Sequence, residues 1–184
     1  MTAPYALDDE FAPARAMWST GLLGAFNAAG VLCAADVHVA TTLGRIGGEA
    51  DETVLLAVAL TVRGTRNGSV MLDLATVADE IVPDAPDGDD VTAGATAPVD
   101  WPDPVRWQAT CAASALVAGP DGPPGRPMRM IGGSLWLDKY FTQERDVAVD
   151  LLARRAAAPP EVDEDRLCDA LDRLFPGTGD TDQR

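Results

Sequence analysis

The sequence predicts a mainly α fold, a helical domain that carries one short β-hairpin. Apolar residues recur at helical spacing along most of the chain, and capping and stop residues bracket those runs. Only one segment, two apolar stretches around Gly132-Gly133, has the pattern of a hairpin. The 184 residues, 47% of them hydrophobic, are enough for one domain, or one domain and a small appendage, with a core of its own.

Each element has its own signal. Residues 1–13 are polar and Pro-containing and are expected to be a flexible N-terminus. From Ala14 to Ala29, Met17, Trp18, Leu22 and Phe26 fall on one helical face, and Gly30 supplies the stop. Asp36 is placed to cap a second helix, with Val37, Val39, Ala40, Leu43 and Ile46 on a broad face before Gly47-Gly48. Asp51 and Glu52 put negative charge at the start of a third helix, where it suits the dipole. That helix, through Val54, Leu55, Val58, Leu60 and Val62 to Asn67-Gly68, is apolar nearly all round and reads as central and buried. Leu72, Leu74, Val77 and Ile81 suggest one more short turn of helix.

Residues 82–100 then alternate Pro and Gly with Asp and hold no basic residue, which predicts an acidic, solvated loop. Trp101-Pro102-Asp103-Pro104 opens a helix with Asp103 as cap and Pro104 as first residue, and Trp107, Cys111 and Leu116 can face inward. Gly119 to Pro127 is a second loop. The hairpin follows, with Met128, Met130, Leu135 and Leu137 flanking its glycines. Tyr140 to Ala158 is helical up to Pro159-Pro160, and Asp163 caps a last helix with Leu167, Leu171 and Leu174.

Charge and chemistry narrow the function. Fourteen Lys and Arg against 29 Asp and Glu leave a net charge of −15, which repels phosphate at long range. Cys33, Cys111 and Cys168 lie far apart without metal-ligand spacing, so a reduced, cytoplasmic protein is expected. No apolar run approaches the roughly 18 residues of a membrane span. His38 lies near Asp36 and Cys33, but it is the only histidine, so a structural role outweighs a metal site or a nucleophile. Pro176-Gly177-Thr178-Gly179 begins like a phosphate loop but continues into Asp180 without a lysine. Ser69 and Ser134 have no histidine partner, and Asp89-Asp90 and Glu164-Asp165 sit in polar surroundings. These residues build no catalytic or metal site.

The informative segment is 126–155. It holds Arg126, Arg129, Lys139, Arg145, Arg154 and Arg155 against Asp138, Glu144, Asp146 and Asp150, with Trp136, Tyr140 and Phe141 interleaved. Such residues read first as core aromatics and a solvated helix face, ahead of a single-stranded DNA surface, and a partner interface is a third use.

Several segments taken in order resemble a known family. They are Leu22-Leu23-Gly24-Ala25-Phe26-Asn27-Ala28-Ala29-Gly30-Val31-Leu32 leading to Ala35-Asp36-Val37-His38-Val39-Ala40, then Gly48-Glu49-Ala50-Asp51-Glu52 with Leu55-Leu56-Ala57 and Val62-Arg63. Asn67-Gly68-Ser69-Val70, Trp101-Pro102-Asp103-Pro104 with Trp107, Arg126-Pro127-Met128-Arg129-Met130 and Leu135-Trp136-Leu137-Asp138-Lys139-Tyr140 with Glu144 follow. The set resembles the N-terminal region of RecD, the alpha subunit of exodeoxyribonuclease V, in its actinobacterial form. Ser114-Ala115-Leu116-Val117 departs from it where Ser-Pro-Leu-Val is expected.

The resemblance implies a helical RecD-type N-terminal domain over 14–158, and over 159–184 a connector helix and the start of a helicase motor that is absent from this sequence. It implies docking onto RecC and RecB, so that an ATP-dependent 5′→3′ DNA helicase can process double-strand ends in recombinational repair. ATP and Mg belong to that full-length subunit, and DNA is met through the complex. Gln183 matches a glutamine that contacts the adenine, a role that needs the motor. The 184-residue chain is itself expected to be non-catalytic and to hold no cofactor. Candidate partner or DNA contacts are Arg126, Arg129, Trp136, Lys139, Tyr140 and Arg145. The rival readings are a single-stranded DNA contact module and a free-standing acidic protein-interaction domain.

Overall fold

A computed structural model of the chain describes residues 14–81, 99–158 and 161–175. The expected flexible N-terminus, nearly all of the acidic loop, and Gln183 lie outside the described residues. Two units divide the chain, one running to Arg145 and one from Asp146 onward.

In the first unit, α1 (Gly21–Ala28), α2 (Ala34–Gly47) and α3 (Glu52–Arg66) pack together, and α5 (Pro104–Ala113) lies against α3. As the sequence predicts, α3 is the centre. Val54, Leu56, Ala57, Val58, Ala59 and Leu60 are all buried. Buried Thr61 turns its hydroxyl back onto the Ala57 carbonyl, which satisfies that hydroxyl. The Asp51 carboxylate accepts from the N–H groups of Thr53 and Val54, which caps the helix. On α5, Asp103 caps through the Arg106 N–H with Pro104 at the first position, and the Trp107 indole N–H donates to the Thr53 carbonyl at 2.7 Å. Phe26 of α1 meets Trp101 edge to face at 4.7 Å, closing the core between α1 and α5.

A four-stranded sheet completes this unit, in the order β1 (Met71–Asp73), β4 (Ser134–Leu137), β3 (Met128–Ile131), β2 (Val117–Ala118). Strands β3 and β4 form the expected hairpin. Gly132 and Gly133 both have positive φ, 59° and 95°, which the two-residue turn between Ile131 and Ser134 requires. Leu72, Leu135 and Met130 share one register row and are buried, while Met71, Trp136 and Arg129 share the next row on the other face.

Several local expectations shift. The first helix begins only at Gly21, so Met17 and Trp18 lie outside it and are exposed. Ser19 N–H closes a turn onto the Ala16 carbonyl there instead. Cys33, not Asp36, is the cap of α2, and Asp36 sits three residues on with its carboxylate accepting the Cys33 N–H. Val39 and Ile46 face solvent, because buried Gly44 brings α2 so close to Leu55 that a Cβ there would lie 2.5 Å from its methyl. The segment from Leu72 is a strand and then α4 (Val77–Glu80), since Met71–Asp73 pairs with the hairpin. Leu116 is buried from beyond the end of α5.

After the hairpin come α6 (Asp138–Ala156), which passes into the second unit, and α7 (Glu164–Leu174). Asp163 caps α7 as expected. Among the described residues no helix is long and apolar enough to cross a membrane.

Candidate partner interface

The six residues singled out by sequence fall in and around β3, β4 and the start of α6, and the structure divides them by what their polar groups already do. Arg129 is used internally. Its side chain is 7% exposed and holds the Asp138 carboxylate through Nε at 2.8 Å and Nη2 at 2.6 Å. Its Nη1 donates to the carbonyls of Gly119 and Gly122, at 2.7 and 2.9 Å, and its guanidinium stands 5.4 Å from the centre of the Phe141 ring. One side chain thereby ties together the 119–122 loop, the hairpin and the first turns of α6. Arg126 likewise donates through Nη1 to the carbonyls of Ser114 and Val117, while the residue as a whole stays exposed.

The other four lie nearer the surface. Trp136 is half-buried, packs edge to face on Phe141 at 6.0 Å, and donates its indole N–H to Glu144 at 2.9 Å. Lys139, the only lysine in the chain, is exposed and stands 5.8 Å from the centre of the half-buried Tyr140 ring. Arg145 is exposed. Arg129 thus fixes a corner between the hairpin and α6, around which Trp136 and Tyr140 are half-buried and Lys139 and Arg145 are exposed.

One strongly exposed aromatic was not found by sequence reasoning. Trp18 is 91% exposed, with φ of 71° in the left-handed region that side chains rarely adopt. Buried Asn27 holds the segment beneath it. Its Oδ1 accepts the Ala16 N–H at 2.9 Å, and its Nδ2 donates to the carbonyls of Ala14 and Leu32 at 2.9 and 2.8 Å. Arg15, Met17, Trp18, Ser19 and Asn27 line a cleft of about 410 Å³. No spacing rule separates an exposed tryptophan from a core one, but an asparagine within an apolar run was the available hint.

The remaining chemistry is structural. Ser114 donates its hydroxyl to Glu49 at 2.6 Å, and this bond, with backbone N–H groups of Asp51 and Ala50, holds the Glu49 carboxyl below its usual range. The Thr53 hydroxyl and the backbone around it do the same for Asp51. Burial pushes the Cys111 thiol up to about 12, so it is inert rather than nucleophilic. Among the described residues no group of three His, Cys, Asp or Glu side chains is placed to hold a metal ion.

With that geometry in place, the comparisons with known proteins are specific. The family model of the N-terminal domain of the RecBCD enzyme subunit RecD matches residues 28–136. The RecBCD enzyme subunit RecD of Mycobacterium tuberculosis is 40% identical over 175 residues, 92% of this chain and 25% of that protein. The subunit of the same name from Mycolicibacterium smegmatis is 40% identical over 164 residues, 89% of this chain and 25% of that protein. The chain thus spans about a quarter of the length of these curated relatives. The matched stretch runs from the end of α1 to Trp136 of β4, so it contains α2, α3, α5 and nearly all of the sheet. On this evidence the chain belongs to the RecD family, as a RecD N-terminal domain.

Proposed function

We propose that residues 14–158 are a docking domain that attaches a RecD-type helicase subunit to RecC and RecB. The observation that carries this reading is the match of residues 28–136 to the N-terminal domain of a subunit whose name places it in a multi-subunit enzyme. The geometry supports it: exposed Trp and Arg on rigid supports are the residue types that anchor protein partners. Trp136, Tyr140, Lys139 and Arg145 form the contact corner, Trp18 is a separate anchor, and Arg126 and Arg129 act by holding the corner in shape.

In the full-length subunit this domain precedes a motor that uses ATP and Mg to move 5′→3′ on DNA during double-strand-end processing in the cytoplasm. Residues 159–184 lead toward that motor, and Gln183 contacts the adenine there. The chain's own lysine, Lys139, lies over Tyr140 and not in a glycine-rich loop, so the nucleotide's phosphates depend on residues of the motor.

Size-exclusion chromatography of the chain with RecB and RecC tests the docking. Co-elution is the expected result, and elution as separate species overturns it. The exposed Lys139 and Arg145 also favour a second reading, direct contact with single-stranded DNA. That reading requires binding that weakens steeply with salt. No binding to an oligonucleotide at low ionic strength removes it.

A further inference from the structure

The match to the N-terminal domain ends at residue 136, and the helices beyond it have a different kind of surface. Neither α6 nor α7 contains a buried residue. Yet α7 is sharply two-sided. Leu167, Ala170, Leu171 and Leu174 recur at spacings of three, one and three and share one stripe, while Asp165, Arg166, Asp169, Asp172 and Arg173 lie around the rest of the helix. Leu167 is 46% and Leu174 72% exposed. In the last turns of α6, Val147 and Leu151, one turn apart, are each 59% exposed.

A helix of 11 residues, however well capped, is marginal in water without a surface to cover its apolar side. The relatives identify that surface. They are about four times as long as this chain, and the matched domain is N-terminal by name, so most of their length follows the position of α7. A second copy of the chain is a poorer occupant. A stripe on one 11-residue helix is about 16 Å long and falls well short of the roughly 800 Å² per partner that a stable dimer needs. A following domain in the same polypeptide needs no such area, because the tether supplies the effective concentration.

We propose that the Leu167–Leu171–Leu174 stripe of α7 is the seat of the next domain of the same polypeptide. The complementary surface is an apolar groove whose edge beside Arg166 and Arg173, the charged residues that flank the stripe on one side, carries acidic residues. The proposal rests on the reading above that this domain precedes a motor.

Amide hydrogen exchange tests it, with no partner subunit present. The samples are the 184-residue chain, the polypeptide extended over the relatives' full length, and that polypeptide carrying Leu167→Glu and Leu174→Glu. Residues 164–174 are expected to exchange at least about a hundredfold more slowly in the extended polypeptide than in the short chain, and the double substitution should abolish the difference. Equal rates in the two lengths overturn the proposal. So does slow exchange already present in the short chain, which assigns the stripe to a second copy. Protection that appears only when RecB or RecC is added assigns it to another subunit and also overturns it. Amides of Val54–Thr61 serve as an internal control, since they stay slow wherever the first unit is folded. Failure to co-elute with RecB and RecC would strike the docking reading and leave this comparison intact.

Discussion

Helices α3 and α7 are written with the same local grammar and meet opposite fates. Each has an aspartate cap whose carboxylate accepts backbone N–H donors, two at Asp51 and one at Asp163, with acid in its first turn and arginine in its last. Eight residues of α3 are buried and none of α7 is. Capping and dipole effects, each worth about 1 kcal/mol or less, decide where a helix begins and ends. Burial, at about 1.5 to 3 kcal/mol per large apolar side chain, decides whether it is held. The first unit supplies that burial from its own residues, and α7 presents an apolar stripe whose Leu167 and Leu174 stay exposed while Ala170 and Leu171 are half-buried.

Truncations in the two helices should therefore differ most. Leu60→Ala, at a fully buried site, is expected to cost about 2 to 5 kcal/mol in urea unfolding followed by tryptophan fluorescence. Leu167→Ala in the same chain should change stability by less than about 0.5 kcal/mol. A large cost at Leu167 would mean that the stripe is already covered. Next in size is Arg129→Met, which strands the carbonyls of Gly119 and Gly122 and leaves Asp138 unpaired. About 2 to 3 kcal/mol is expected by the same method, because hydrogen bonds to a charged group are lost from a covered site.

Ser114→Ala should cost about 1 kcal/mol near neutral pH. Its sign with pH follows from the Glu49 carboxyl lying below its ordinary value of 4.5 in the folded chain. That stabilisation is complete above 4.5 and is lost as pH falls through the folded value, so wild type and variant should converge in acid. Unfolding at pH 7 and pH 3 checks it, and a difference that grows in acid would contradict it. The smallest effect is kinetic. Native chain treated with a thiol reagent at pH 8 should label exposed Cys168 quickly and Cys111 only on unfolding, since burial holds that thiol near 12.

Much of the fold was legible. The mainly α class, the buried α3 with acid at its start, the caps at Asp103 and Asp163 and the hairpin at Gly132-Gly133 all follow from short-range signals in the sequence. What escaped was long-range. Strand β1 exists because Met71–Asp73 pairs with β4 more than sixty residues away, and periodicity carries no record of that partner. Trp18 and Phe26 look alike as apolar residues at helical spacing. Only the Asn27 bonds to Ala14 and Ala16, which replace a helical turn, put one outside and the other in the core. At the candidate interface the residue types were legible but their employment was not. Arg129 reads as a free cation until its acceptors on the 119–122 loop are seen. The family resemblance, carried by ordered segments rather than any single motif, is matched by the RecD N-terminal domain over 28–136.

The docking role is tested most directly by titrating RecC, with and without RecB, into the chain labelled at Cys168 and following fluorescence anisotropy. The account predicts a saturable rise for the wild-type chain, and a markedly weaker one for a folded variant carrying Trp136→Ala and Lys139→Glu. A flat response at RecB and RecC concentrations that sustain their own assembly would contradict it.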